Sequence, residues 1–158
     1  MASVGTGAGF LGLVAGILQK FPGLAAGGFS VTSAATPRYN CIAWAAEKTD
    51  KNWWPNPDGF WPPGIPYEQS LGAFEAAFRT LGYQRCEDDS LQPNLEKIAI
   101  YISILGLPTH AARQLPNGRW TSKLGPNVDI EHANPAALRG QDYGSPALIM
   151  ARQIRRVL

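Results

Sequence analysis

Thr109-His110-Ala111-Ala112-Arg113-Gln114-Leu115-Pro116-Asn117-Gly118-Arg119-Trp120-Thr121-Ser122-Lys123-Leu124 is the stretch on which the fold turns. Pro116-Asn117-Gly118 reads as a three-residue hairpin loop, because proline presets the first turn position and glycine accepts the left-handed one. The flanks then become antiparallel strands. If Leu115 pairs with Arg119, Ala112 lies opposite Ser122. The two-residue period of a strand puts His110, Ala112, Gln114, Trp120 and Ser122 on one face. An imidazole and a hydroxyl thus sit diagonally across one ladder.

Upstream, Lys97-Ile98-Ala99-Ile100-Tyr101-Ile102 has the β-branched and aromatic content of a strand. Downstream, the apolar run at 147–154 reads as another strand, with a helix as the alternative. Nearer the N-terminus, Asn40 can cap a helix that runs through Cys41-Ile42-Ala43-Trp44-Ala45-Ala46. Leu71, Phe74, Ala77 and Phe78 form the apolar stripe of a second helix over 67–81, which Gly82 ends. Between the helices, the proline-rich segment 53–66 forms no regular element, yet its three tryptophans need cover, so it reads as an ordered loop over the body. Helix, long loop, helix and antiparallel meander make an α+β domain.

Residues 1–36 read as a Gly/Ala-rich hydrophobic leader and loop, ahead of a domain at 37–158. The apolar run from Phe10 to Leu18 is too short to cross a bilayer, and Lys20 follows it where a secretory signal would carry its charge in front. It reads as a short buried or amphipathic helix, or as the remnant of a longer parent chain. Stable membrane insertion is not expected. The sequence leaves the compartment open between the cytoplasm and export by a specialised secretion system. A net charge of +2, with 16% charged residues and no basic run, gives nucleic acid nothing to bind. Two cysteines make no disulfide framework, although Cys41 and Cys86 could pair in an oxidising compartment. With two scattered histidines they make no zinc set either. No metal and no cofactor are expected.

The chemistry converges on Cys41. A helix start offers free N–H groups and a positive dipole end, which favour thiolate. His110 on its strand is the natural base, and a third group must hold the ring in the right tautomer. Ser122 is diagonal to His110 and ranks first for that role. Asp129 is the better chemistry in a less defined place, and both stay open. His132, in the polar run Asp129-Ile130-Glu131-His132-Ala133-Asn134-Pro135, reads as peripheral. Tyr39, Trp53, Trp54 and Trp61 are the candidate substrate-binding residues, with core packing as their competing role. Lys123 and Arg113 read as part of a solvated face.

Tyr39-Asn40-Cys41-Ile42-Ala43-Trp44-Ala45, the hairpin from Thr109 to Gly125 and Asp129-Ile130-Glu131-His132 closely resemble an uncharacterised bacterial domain family, over roughly residues 37–155. More distantly, the arrangement resembles the papain-like NlpC and CHAP amidohydrolases, which place cysteine at a helix start and histidine on a following strand. That likeness implies a papain-like cysteine hydrolase or peptidase that needs no cofactor and cleaves an amide by thiol acyl transfer. Its substrate would be a peptide or amide such as peptidoglycan peptide. The context it implies is a bacterial effector, with an immunity protein or its own parent chain as partner. Related hairpins carry a second histidine where this chain has Ser122. Two other readings stay open: a non-enzymatic binding domain that uses the Trp-rich loop, and a protein-modifying deamidase or acyltransferase.

Overall fold

The computed structural model describes residues 7–154. The hairpin forms in the register read from its turn: Leu115 N–H donates to the Arg119 carbonyl at 2.7 Å, and Gly118 takes φ 87°. It joins β4 (Pro108–Gln114) to β5 (Trp120–Lys123). With β3 (Leu95–Ile102) before it and β6 (Asp129–His132) after it, the hairpin forms a four-strand antiparallel meander. β7 (Ser145–Gln153) returns to pair along the free side of β3, and the apolar run at 147–154 is therefore strand. Two earlier segments, β1 (Phe29–Ser33) and β2 (Gln84–Cys86), close the edges of a seven-stranded sheet ordered β1-β6-β5-β4-β3-β7-β2.

The alternation of these strands divides the core in two. Ile98, Ile100, Ala111 and Met150 face a layer of α3 (Cys41–Ala45), α4 (Leu71–Arg79) and the Trp-rich loop. Ala99, Tyr101, Ala112, Trp120 and Ile130 face the other way. They pack against Leu138 and against Ile17, Phe21 and Leu24 from the N-terminal segment. That segment is a helix, α1 (Gly7–Lys20), followed by the single turn α2 (Leu24–Gly27). α1 and β1, which the sequence sets apart as leader and loop, both pack onto the sheet.

Several boundaries differ from expectation. β1 lies within residues 1–36, read as leader and loop, because its small polar residues disguise a strand that needs only one partner, β6. α3 is five residues long. It ends where Glu47 turns to φ 61° and reaches Arg113 and Arg152, each at 3.5 Å. α4 starts later than the periodicity suggests, because Ser70 caps it by accepting from Ala73 N–H at 3.1 Å. Asp129-Ile130-Glu131-His132 is strand, not polar loop, and His132 is fully buried. Beyond it, Asn134 caps a 3-10 turn (Pro135–Leu138). The architecture is mixed α and β, with an antiparallel sheet and few helices.

Candidate active site

Asn40 does more than cap a helix. Its Oδ1 accepts from Ala43 N–H at 3.0 Å and from Trp53 N–H at 3.1 Å, and its Nδ2 donates to the Trp53 carbonyl at 2.8 Å. One amide therefore fixes both the helix start and the loop beside it. Cys41 follows directly, 7% exposed, and its thiol donates to the Thr109 carbonyl at 3.9 Å. Burial pushes this thiol up to about 11, against the N–H groups of Ala111, Ile42 and Cys41 itself, which favour thiolate. The expected lowering of the Cys41 pKa does not hold in this structure. A helix of five residues carries little dipole, and desolvation outweighs it.

His110 lies between the two residues whose backbone meets the sulfur. Its ring is fully buried, stacked on Tyr143 at 4.0 Å and 10°, with the edge of Tyr101 at 5.0 Å. No hydrogen bond joins its Nδ1 to Cys41, and Nδ1 is buried without a hydrogen-bond partner. The other nitrogen begins a chain. His110 Nε2 is 3.0 Å from Ser122 Oγ, Ser122 Oγ is 2.8 Å from His132 Nε2, and His132 Nδ1 is 2.9 Å from the Asn134 carbonyl.

The direction of every proton in that chain follows from its last member. A carbonyl only accepts, so His132 Nδ1 carries the hydrogen. Burial, working against that carbonyl, holds His132 down to about 4, and burial together with His132 holds His110 well below the usual imidazole value. Both rings are neutral at pH 7, so His132 Nε2 is an acceptor and Ser122 donates to it. Ser122 Oγ then accepts from His110 Nε2–H. His110 Nδ1 is left as a bare lone pair, the form a general base requires.

The opposite face of the same strands holds a different cluster. Lys123, fully buried, donates to the carbonyls of Thr36 and Gly125, each at 2.8 Å, and also to that of Asn127. Burial lowers its pKa, and the carboxylate of Asp129 opposes the shift. Asp129 accepts from Ser33 Oγ and from Tyr39 Oη, the latter at 2.8 Å. Burial and this carboxylate raise the Tyr39 phenol to about 12. Lys123 is thus no part of a solvated face: it ties down Thr36 in the irregular segment that leads into Cys41. Asp129 makes no hydrogen bond to His110, so of the two candidates for third member only Ser122 reaches the ring.

The four aromatic candidates divide. Tyr39 stacks on Trp44 at 5.4 Å, while Trp54 and Trp61 pack on Phe74 at 5.1 and 4.9 Å. These three sit against protein. Trp53 lines a cavity of about 430 Å³ with Lys51, Phe60, Pro62, Pro63 and Leu81. Residue-by-residue reading missed His132 and Tyr143. His132 had one available signal: Ile130 and His132 alternate in step with Trp120 and Ser122 once the two strands are paired. Both cysteines are free. Among the described residues no group of three or more His, Cys, Asp and Glu could hold a metal ion, and no helix is long and apolar enough to cross a membrane.

A family model described as a domain of unknown function, DUF7689, matches residues 30–151. The matched span takes in the Cys41 and His110 motifs, Ser122 and His132, and leaves α1 and α2 outside it. No match was found among curated proteins or among solved structures.

Proposed function

Because the chain belongs to the DUF7689 family, a domain of unknown function, we propose its activity from the site: a papain-like cysteine amidohydrolase that cleaves a peptide or amide by acyl transfer. The supporting observation is the hydrogen-bond chain from His110 through Ser122 and His132 to Asn134, which leaves His110 Nδ1 unprotonated beside the backbone that meets Cys41. In the reaction, Nδ1 takes the thiol proton as sulfur attacks the amide carbonyl. The C=O electron pair moves onto oxygen, and the N–H groups at the start of α3 are the donors nearest to hand. When the carbonyl re-forms, the C–N bond breaks and the amine leaves with the proton from Nδ1. Water then adds to the thioester, gives a proton to Nδ1 and releases the acid, and that proton returns to sulfur. Ser122 and His132 hold the imidazolium that forms twice in this cycle.

Peptidoglycan peptides are the first substrates to test. The wild type is expected to release new amines from wall fragments, and Cys41→Ala and His110→Ala are expected to abolish the release. Identical product profiles from the wild type and both variants would remove the hydrolase reading. A transferase or deamidase would declare itself by products that retain an amine adduct or lose only ammonia. The burial and raised pKa of Cys41 favour one second reading, a binding domain that keeps the fold and presents the Trp53 cavity. Under that reading neither variant changes any product, and a Trp53→Ala variant loses the partner.

A further inference from the structure

The N-terminal segment does not merely cover the sheet. Phe21 stacks on Tyr143 at 5.2 Å and 24°, and Tyr143 stacks in turn on His110, so three rings lie in series from the end of α1 to the buried base. Beside them Lys20 pairs with Asp142 at 3.4 Å, through side chains that are 63% and 50% exposed. The Lys20 carbonyl lies so close to Gly140 that a Cβ added there would sit 3.0 Å from it.

Tyr143 rides on a loop pinched by two backbone bonds between Gly140 and Gly144, at 3.2 and 2.8 Å. Gly144 has φ 71°, and a side chain there would run into the Ile102 carbonyl, so the pivot of the loop demands glycine. The Tyr143 carbonyl accepts from Thr109 Oγ1 at 2.5 Å, which docks the loop on the residue whose own carbonyl holds the Cys41 thiol. A thiolate at Cys41 would also raise the Tyr143 phenol, so the two side chains are electrostatic neighbours.

We infer that the end of α1, through Lys20 and Phe21, is a latch that holds the Tyr143 loop shut over His110, and that release of this segment opens the site. This rests on Cys41 and His110 being the reacting pair, and it supplies the regulation of that pair. The closed state buries sulfur and imidazole; Phe21 is itself buried with Ile17 and Leu24 against the sheet, while the ion pair beside it is solvent-exposed and weak, so the charge variants loosen the latch without removing its apolar hold. α1 and α2 lie outside the matched span 30–151, whereas Asp142 and Tyr143 lie within it.

The test is the rate at which iodoacetamide labels Cys41 in the full chain, in a Cys86→Ser background, read by mass spectrometry at pH 8. Hydration of the sulfur lowers its pKa, so opening accelerates labelling. Tyr143→Ala is expected to label about fivefold faster than the parent. Lys20→Glu, on the surface, is expected to gain about twofold, and adding Asp142→Lys should restore the parent rate. Amide exchange in β3 reports global loosening and should stay unchanged in the charge variants. Equal labelling in Lys20→Glu and the parent overturns the latch, whatever Tyr143→Ala does to folding. Because labelling needs no turnover, the latch can fail this test while hydrolysis still requires Cys41 and His110.

Discussion

Ser122 and Lys123 are neighbours on β5, yet they face opposite sides of the sheet and solve burial in opposite ways. Ser122 joins two histidines that escape charge: both rings are neutral, and each proton in the chain has an assigned place. Lys123 lies opposite Asp129 in the register, and its buried ammonium donates to three carbonyls. The first arrangement presents a lone pair. The second anchors the chain that leads into Cys41. One short strand, by alternation alone, holds the His110 ring from one face and anchors the Thr36 segment from the other.

Breaking the charged side should do the most damage. Lys123→Met leaves three carbonyls without their charged donor, and should cost about 4 kcal/mol in a denaturant titration. The neutral side should show itself in acid. His132 titrates near 6.5 when unfolded and about 4 when folded, so unfolding takes up a proton as pH falls between these values. The stability it contributes is complete above pH 6.5 and is lost towards pH 4, about 3 kcal/mol for this ring. His132→Gln should flatten that limb of the stability–pH curve. Ser122→Ala strands two ring nitrogens at once and should cost about 2 kcal/mol, with a disturbed His110 tautomer by NMR. Asn40→Ala sharpens the comparison from outside both clusters. Loss of the cap should cost about 1 kcal/mol and shift the Trp53 fluorescence, while the His110 signals stay in place.

What the sequence made legible was local. Pro116-Asn117-Gly118 states its turn, and the turn sets the register that carries His110 to Ser122. Asn40 announces the start of α3. The missing parts depend on pairing between distant segments. β1 and β6 contain serine, aspartate, glutamate and histidine, residues with little strand preference that become strand through pairing, β1 with β6 and β6 also with β5. Once β6 is taken for a loop, His132 drops out of the site and the proton chain cannot be drawn. Tyr143 was illegible for another reason: it reaches His110 from a loop pinned by α1, a contact no periodicity encodes. Cys41 shows the limit of a local rule, since a helix start favours thiolate only while water or a cation reaches the sulfur.

The most direct test is nitrogen NMR of the His110 ring in the folded protein at pH 7. The hydrogen-bond chain predicts a neutral ring with hydrogen on Nε2 and a bare Nδ1, holding that form well below pH 6. A ring protonated on Nδ1, or an imidazolium at pH 7, would contradict it and leave Cys41 without a base.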